Sequence, residues 1–417
     1  MARMIHIVGA GLSGLSAAAR LTQAGVSVAV YEATGQAGGR CRSYYDHAFG
    51  GMIDNGNHLL LSGNDAAMSY LRLIGGEHAL TGPGRAEFPF IDLANGERWT
   101  LRPNEGRLPA WIFSSSRRVP GTRPKDYLSI SGLLRAAPDA PIASAMKCSG
   151  VLYERLWRPF LLAALNTEPP EAASGLGAVL IRETLMKGGR AYRPLIARDG
   201  LAAALVDPAL RYLAAHNAPV RFEHNLRALG IAGGRVSRLD FGHSAVELGA
   251  KDAVILAVPP WMAKTLVPAL DTPDEFRAIV NAHFRIPAPA DFPPMIGVIN
   301  GTAEWIFAFP GRMSVTVSAG DRLVSLPREQ LAATIWREVA KVAGVAETLP
   351  PWQIVRERRA TFAALPEQNA KRPSPQTAWR NLVLAGDWTA TGLPATIEGA
   401  IRSGERAAEA LDARVDR

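Results

Sequence analysis

The stretch "MIHIVGAGLSGLSAAARLTQAGVSVAVYEA", residues 4–33, decides the fold. Met4 to Val8 is a short apolar run that stops at Gly9-Ala10-Gly11-Leu12-Ser13-Gly14. An Ala- and Leu-rich helical pattern follows to Gly25, and a β-branched run, Val26 to Tyr31, ends at Glu32. Strand, glycine turn, helix, strand and acid in this register form a dinucleotide site. The glycines serve a tight turn, close approach to a pyrophosphate, and helix-to-strand packing. The helix start turns N–H groups and the positive end of its dipole towards phosphate. Glu32 is placed to accept hydrogen bonds from an adenosine ribose, and an acid there argues against a 2′-phosphate. FAD and NAD both remain open.

The bulk composition narrows the class. A chain of 417 residues exceeds one ordinary core, so two domains are expected. With 48% hydrophobic and 20% charged residues it reads as globular. The net charge of +8 suits an anionic cofactor, an anionic membrane surface or nucleic acid. No zinc-ligand spacing, RNA-binding signature or basic helix ahead of heptads is found, so no nucleic-acid partner is expected. Cys41 and Cys148 support neither a disulfide framework nor a metal site, and a reducing cytoplasm fits. No signal-peptide pattern opens the chain, and no run of about 18 apolar residues is present. The expectation is a cytoplasmic protein that meets a membrane, if at all, peripherally at the inner face.

"EATGQAGGRCRSY", residues 32–44, places Gly38-Gly39-Arg40 just beyond the acid. Here the sequence resembles the FAD-dependent amine oxidase and carotenoid desaturase superfamily, whose members carry such a loop around the pyrophosphate and flavin. The resemblance implies FAD as cofactor. Its site would take Gly9, Gly11, Leu12, Ser13 and Gly14, then Glu32 and Ala33, then Gly38, Gly39 and Arg40. It extends to Gly56 and Asn57, and to Leu226, which matches the position that contacts adenine by its backbone. "RNLVLAGDWTATGLPATIEGAIRSGERAAEAL", residues 380–411, resembles the superfamily's closing segment. Gly386 and Asp387 would form its turn, and a helix starting near Thr396 would point the N–H of Ile397 at the flavin. A helix N-terminus suits the negative charge of a reduced flavin.

The implied fold class is α/β: a Rossmann-like FAD-binding domain assembled from discontinuous segments, plus a mixed α+β substrate domain. The cofactor pieces would be residues 1–84, 196–260 and 376–417, and the substrate pieces 85–195 and 261–375. Strands are predicted over Val220–Phe222, Ala253–Val258 and Asn381–Ala385, with a hairpin through Gly233-Gly234. A second hairpin turns at Asn95-Gly96. Residues 296–320 read as two or three strands, and "REQLAATIWREVAKVAGV" as an amphipathic helix.

Two further segments bear on the substrate. "DNGNHLLLSGNDAAMSYLRLIGG", residues 54–76, and "LWRPFLLAALNTEPPEAAS", residues 156–174, resemble the hydroxysqualene dehydroxylase branch of the superfamily. Asn57 stands where that branch is expected to read Gln. The resemblance implies reductive removal of an allylic hydroxyl from hydroxysqualene to give squalene, in squalene and hopanoid biosynthesis. His58 is then the first candidate acid, because histidine titrates near neutrality. Asp54 and Asn166 are candidates for orienting or hydrogen-bonding the hydroxyl. Trp157, Phe160, Trp305, Phe307, Phe309 and Trp388 could line an apolar tunnel. The electron donor is unidentified, since no second glycine motif between strand and helix is present. An oxidative desaturase of a carotenoid-type polyene stays open as an alternative, as does an amine or porphyrinogen oxidase. Finally, "LPAWIFSSSRR", residues 108–118, sets Trp111 and Phe113 beside Arg117 and Arg118, a pattern that suits peripheral contact with anionic lipid.

Overall fold

The computed structural model describes residues 3–412. Its first sheet has five parallel strands in the order Val220–Arg221, Ser27–Tyr31, Met4–Val8, Ala253–Leu256 and Leu382–Leu384. Ile7 lies between Val30 and Ile255 in the register, so three distant stretches of sequence meet across one row. The strands are nearly all apolar because both faces are covered: helices pack on one, through residues such as Leu15 and Ile401, and the antiparallel sheet Ala228–Ala232, Arg235–Asp240 and Ala245–Glu247 packs on the other, through Val236 and Leu239. The glycine turn sends the chain from Val8 into helix Leu12–Gln23.

That helix packs on the last one, Ile397–Asp412, at unusually short range. A Cβ on Gly404 would stand 2.1 Å from Ser16 Oγ and 2.2 Å from Ser13 O. Ser16 Oγ donates instead to Ile401 O at 3.1 Å. The small residues of both segments thus serve one contact between the two ends of the chain.

The second sheet has seven strands: Trp352–Phe362, Phe276–Phe284, Arg312–Val317, Trp305–Phe309, Met295–Ile299, Phe88–Asp92 and Arg98–Leu101. Phe88–Asp92 pairs in parallel with Met295–Ile299, which joins the early hairpin to the late strands. Period-two alternation sorts the side chains. Val280, Ala282 and Phe284 enter the core beneath helix Arg328–Ala343, while Asn281 and His283 take the opposite face. Trp336 of that helix packs on Phe284 with ring centroids 5.0 Å apart. Burying each such side chain stabilises by roughly 1.5–3 kcal/mol.

Within the stretch 85–195, strands Phe88–Asp92 and Arg98–Leu101 come first, and residues 102–187 then contain short helices and irregular backbone. Tyr153–Trp157 makes a π turn just ahead of helix Arg158–Leu165. Pro159, which has no N–H to give the preceding turn, accounts for the break. A correction concerns Trp111. It is buried, and its ring stacks edge-on against Tyr127 at 5.2 Å, so it is a core residue and not a membrane tip. No helix among the described residues is long and apolar enough to cross a membrane.

Candidate active site

Three glycines at the first turn have different reasons to be glycine. Gly9 has φ +106, and a Cβ there would meet Ala257 O at 2.4 Å. A Cβ on Gly14 would lie 1.9 Å from Gly9 O. Both are demanded by the protein's own packing. Gly11 is not: its φ is −73 and a Cβ would meet nothing within 4 Å. The space kept open at this helix N-terminus fits a diphosphate-bearing group.

Around that space the structure gathers most of the residues expected there. Gly38 N donates to Ala10 O at 2.8 Å, laying the second glycine loop across the first. A Cβ on Gly39, in the same loop, would stand 3.4 Å from Gly11 Cα. Leu12 and Ser13 are buried in the first helical turn. Glu32 Oε2 accepts from Ala10 N at 2.9 Å, and Oε1 from Thr34 N at 3.0 Å. Ala33 is exposed at the rim. Leu226 is buried just past the His224 N to Glu32 O bond of 2.8 Å.

Arg40 ties the pieces together. It donates to Ala360 O at 2.5 Å on the seven-stranded sheet and pairs with Asp387 at 2.7 Å in the C-terminal loop. Gly386 N is held by Ser403 Oγ at 2.8 Å. Ile397 opens the last helix, where Thr396 Oγ1 accepts from Gly399 N at 3.0 Å. Behind this loop lies Arg372, which no motif had singled out. Its buried guanidinium donates to Asp387 O at 3.0 Å, Thr389 O at 2.5 Å and Thr391 Oγ1 at 2.9 Å, and lies over the ring of Phe362. Burial pulls its pKa down to about 10.

The candidates for chemistry sit at the junction of the two sheets. Asp54 and Asn166 require correction. Asp54 Oδ1 accepts from Ser43 Oγ at 2.5 Å and Leu201 N at 2.8 Å, while Oδ2 pairs with Arg312 at 2.8 Å. Asn166, in a left-handed conformation with φ 48, caps helix Arg158–Leu165. Its amide donates to Thr361 Oγ1 at 3.0 Å and its carbonyl accepts from Ala319 N at 2.7 Å. Both side chains are buried and committed to the protein, which removes them as partners for a substrate hydroxyl.

His58 is half-buried beside Gly56, whose Cβ position lies 3.8 Å from His58 Nε2 and 3.3 Å from Asn281 Nδ2. Burial lowers its pKa to about 4; Asp54 opposes this and Arg40 adds to it. Its ring is therefore held neutral near pH 7, a form that still donates from one ring nitrogen. Asn57 is held by Asn281, its N donating to Oδ1 at 3.3 Å, and its Nδ2 donates to Thr316 Oγ1 at 3.1 Å. Asn57 Oδ1 is buried and has no protein partner.

Thr316 and Asn281 begin a row across the second sheet that runs Asn281, Thr316, Trp305, Gly297, Phe90 and Trp99. Thr316 Oγ1 donates to Asn281 Oδ1 at 2.8 Å. At the other end Phe90 and Trp99 stack at 5.5 Å, and Trp305 meets Phe90 edge-on at 5.5 Å. The row is polar at one end and aromatic at the other, with Asn57 at the polar end. Of the aromatic candidates, Trp305 and Phe160 are partly exposed, whereas Trp157, Phe307 and Phe309 are buried. Trp388 is packed away and donates from Nε1 to Val258 O at 2.9 Å.

Glu304, next to Trp305, also lies outside every sequence motif. Its carboxylate accepts from Ser318 N at 2.7 Å, yet burial raises its pKa to about 7 against the lowering by that bond, Arg322 and Arg158. Among the described residues no three His, Cys, Asp or Glu side chains are grouped to hold a metal.

This geometry, a dinucleotide cradle facing an apolar and aromatic sheet, defines a class of flavoenzyme. The sequence profile for "flavin containing amine oxidoreductase" matches residues 12–412, and the chain belongs to that family. The solved cyclohexylamine oxidase from Brevibacterium oxydans shares the fold, with a TM-score of 0.70 and 17% identity over 100% of both chains. The nearer likeness is to hydroxysqualene dehydroxylases. That of Rhodopseudomonas palustris is 60% identical over 410 residues, and that of Sinorhizobium fredii 56% over 409, each over 98% of both chains.

Proposed function

We propose that this chain is an FAD-dependent hydroxysqualene dehydroxylase, which replaces the allylic hydroxyl of hydroxysqualene by hydrogen to give squalene. The observation that carries the substrate reading is the row from Asn281 to Trp99, polar where Asn57 touches it and aromatic beyond. A long isoprenoid alcohol has the same polarity: one hydroxyl on a hydrocarbon. FAD is held in a discontinuous Rossmann-like domain by the turn Gly9–Gly14, Glu32, the Gly38–Arg40 loop and the Gly386–Ile397 segment. Bound in its reduced form, it supplies the hydride.

The protein's residues then have four tasks. Asn57 Oδ1, a buried acceptor without a partner, takes a hydrogen bond from the ligand. Neutral His58 offers an N–H to the departing oxygen. The aromatic end of the row, where Trp305 is partly exposed, lodges the hydrocarbon and keeps water out. The proton that leaves with the hydroxyl as water comes from Glu304, the half-buried carboxyl next to Trp305 in the chain, whose pKa is raised to about 7. Arg40, Asp387 and Arg372 fix the loops in between. The chain works in the cytoplasm and draws its substrate from the membrane surface; the reductant is a separate partner.

Turnover in D2O with chemically reduced protein tests the reaction. Transferable hydrogen on reduced flavin exchanges with solvent, so squalene carrying one deuterium is expected. Recovered alcohol, or squalene without deuterium, would contradict the proposal.

A further inference from the structure

The three most exposed large apolar side chains of the described structure, Leu108 (82%), Phe113 (72%) and Leu128 (70%), fall within 21 residues of sequence. Single exposed apolar residues are ordinary; three at this level on one bend and the two short helices that follow it are not. Phe113 ends the turn Ala110–Phe113 and Leu128 lies in Pro124–Ile130. These turns are rigidly based. Trp111 stacks on Tyr127 between them, Tyr127 meets Trp157 at 6.3 Å, and Val119 N donates to Tyr127 Oη at 3.0 Å. The protruding side chains are therefore mounted on a packed aromatic base and not on a slack loop.

The charge around them is one-sided. Residues 102–135 hold seven Arg or Lys and two acids, Glu105 and Asp126. Glu105 is taken up by Arg190 and Arg193, and Asp126 by the Arg123 N–H. Arg107, Lys125 and Arg135 are exposed and make no ion pair among the described residues. Apolar tips in a segment that also carries exposed cations without ion pairs match an anionic bilayer: the tips enter the acyl boundary and the cations meet headgroups. A protein partner would need shape and hydrogen-bond complementarity, which three protruding apolar tips do not supply.

We infer that Leu108, Phe113 and Leu128 form a docking face for anionic lipid. The face connects inward through Trp157, at the inner end of the aromatic base, to helix Arg158–Leu165. The purpose assigned to it, collecting an isoprenoid alcohol, rests on the reading above; the docking itself does not.

Sedimentation of the full chain with phosphatidylglycerol vesicles and with phosphatidylcholine vesicles tests it. Binding to phosphatidylglycerol is expected to exceed that to phosphatidylcholine at least tenfold and to fall as salt rises. Leu108→Ser with Phe113→Ser and Leu128→Ser should lower it at least tenfold, and Arg107→Glu with Lys125→Glu should do the same. Turnover of detergent-dispersed substrate should stay unchanged, which shows that the variants are folded. Equal sedimentation of parent and variants, or none by the parent, overturns the inference even if turnover is normal. So does loss of a dimer on gel filtration in the serine variant without loss of vesicle binding, since the face then serves a second copy. Vesicle binding without turnover would leave the docking face standing and count against the enzymatic reading.

Discussion

Arg312 and Asp54 form a buried ion pair at 2.8 Å that fastens the loop carrying His58 to the seven-stranded sheet. Arg312 also donates to Met52 O at 3.0 Å, and Asp54 reaches back to Ser43 and Leu201. Breaking one partner of such a pair leaves an uncompensated charge and destabilises by roughly 3–5 kcal/mol. Asp54→Leu and Arg312→Met should each lose about that much in urea unfolding, and the double variant should lose less than the sum. A fully stable Asp54→Asn protein without turnover would instead return Asp54 to the chemistry.

Gly11→Ala and Gly14→Ala separate folding from ligand binding. Alanine at position 14 collides with Gly9 O and should prevent folding or yield little soluble protein. Alanine at position 11 meets open space at an ordinary φ, so stability should stay within about 0.5 kcal/mol of the parent. FAD titration should nevertheless show at least tenfold weaker binding. Unchanged affinity in Gly11→Ala would mean that the diphosphate lies elsewhere.

Acid should unfold the protein in a window set by its histidines. His283 is fully buried, with Nδ1 at 2.8 Å from Ser314 Oγ; burial, then Arg312, depresses its pKa to about 3. The unfolded chain binds this proton near pH 6.5 and the folded chain does not until about 3. Stability is therefore full above 6.5 and falls as pH drops towards 3, by on the order of 4 kcal/mol from this residue. His58 acts in the same direction, between 6.5 and about 4. His283→Gln should flatten the acid arm of a stability–pH curve; an unchanged slope would show that His283 takes up its proton in the folded state.

Glu304 makes the opposite signature. Its folded pKa near 7 lies above the unfolded value, so its contribution is complete below about 4.5 and is lost as pH rises through 7. If its proton leaves with the substrate hydroxyl, kcat/KM should fall above pH 7. The Glu304→Gln profile should be lower by roughly 10²–10⁴-fold and lack that inflection. Full activity in the variant would remove Glu304 from the reaction and leave His58 as the neutral donor alone.

How much of this was legible follows from what each residue does locally. The segment from Met4 to Glu32 could be read directly, because strand period, glycine turn and helix are all short-range patterns, and strand Met4–Val8 falls where it was expected. Strand Leu382–Leu384 falls within a residue of the expected bounds at each end, and helix Ile397–Asp412 starts one residue after the expected Thr396. Arg372, Arg312 and Glu304 were missed because their importance comes from burial beside distant loops, which no local pattern encodes. A faint signal existed at Asn281 and His283. Two polar residues spaced by two within the apolar strand "FRAIVNAHF" already mark one face as different. Trp111 was misread for the converse reason: a Trp-Ile-Phe run gives no sign of which ring turns inward, and Tyr127 decides it.

An anaerobic single turnover tests the central claim most directly. The purified protein is chemically reduced, hydroxysqualene is added, the flavin spectrum is followed, and the lipid is extracted for mass analysis. Return of the oxidised flavin spectrum with one squalene formed per flavin is the predicted result. Flavin that stays reduced over intact alcohol would contradict it.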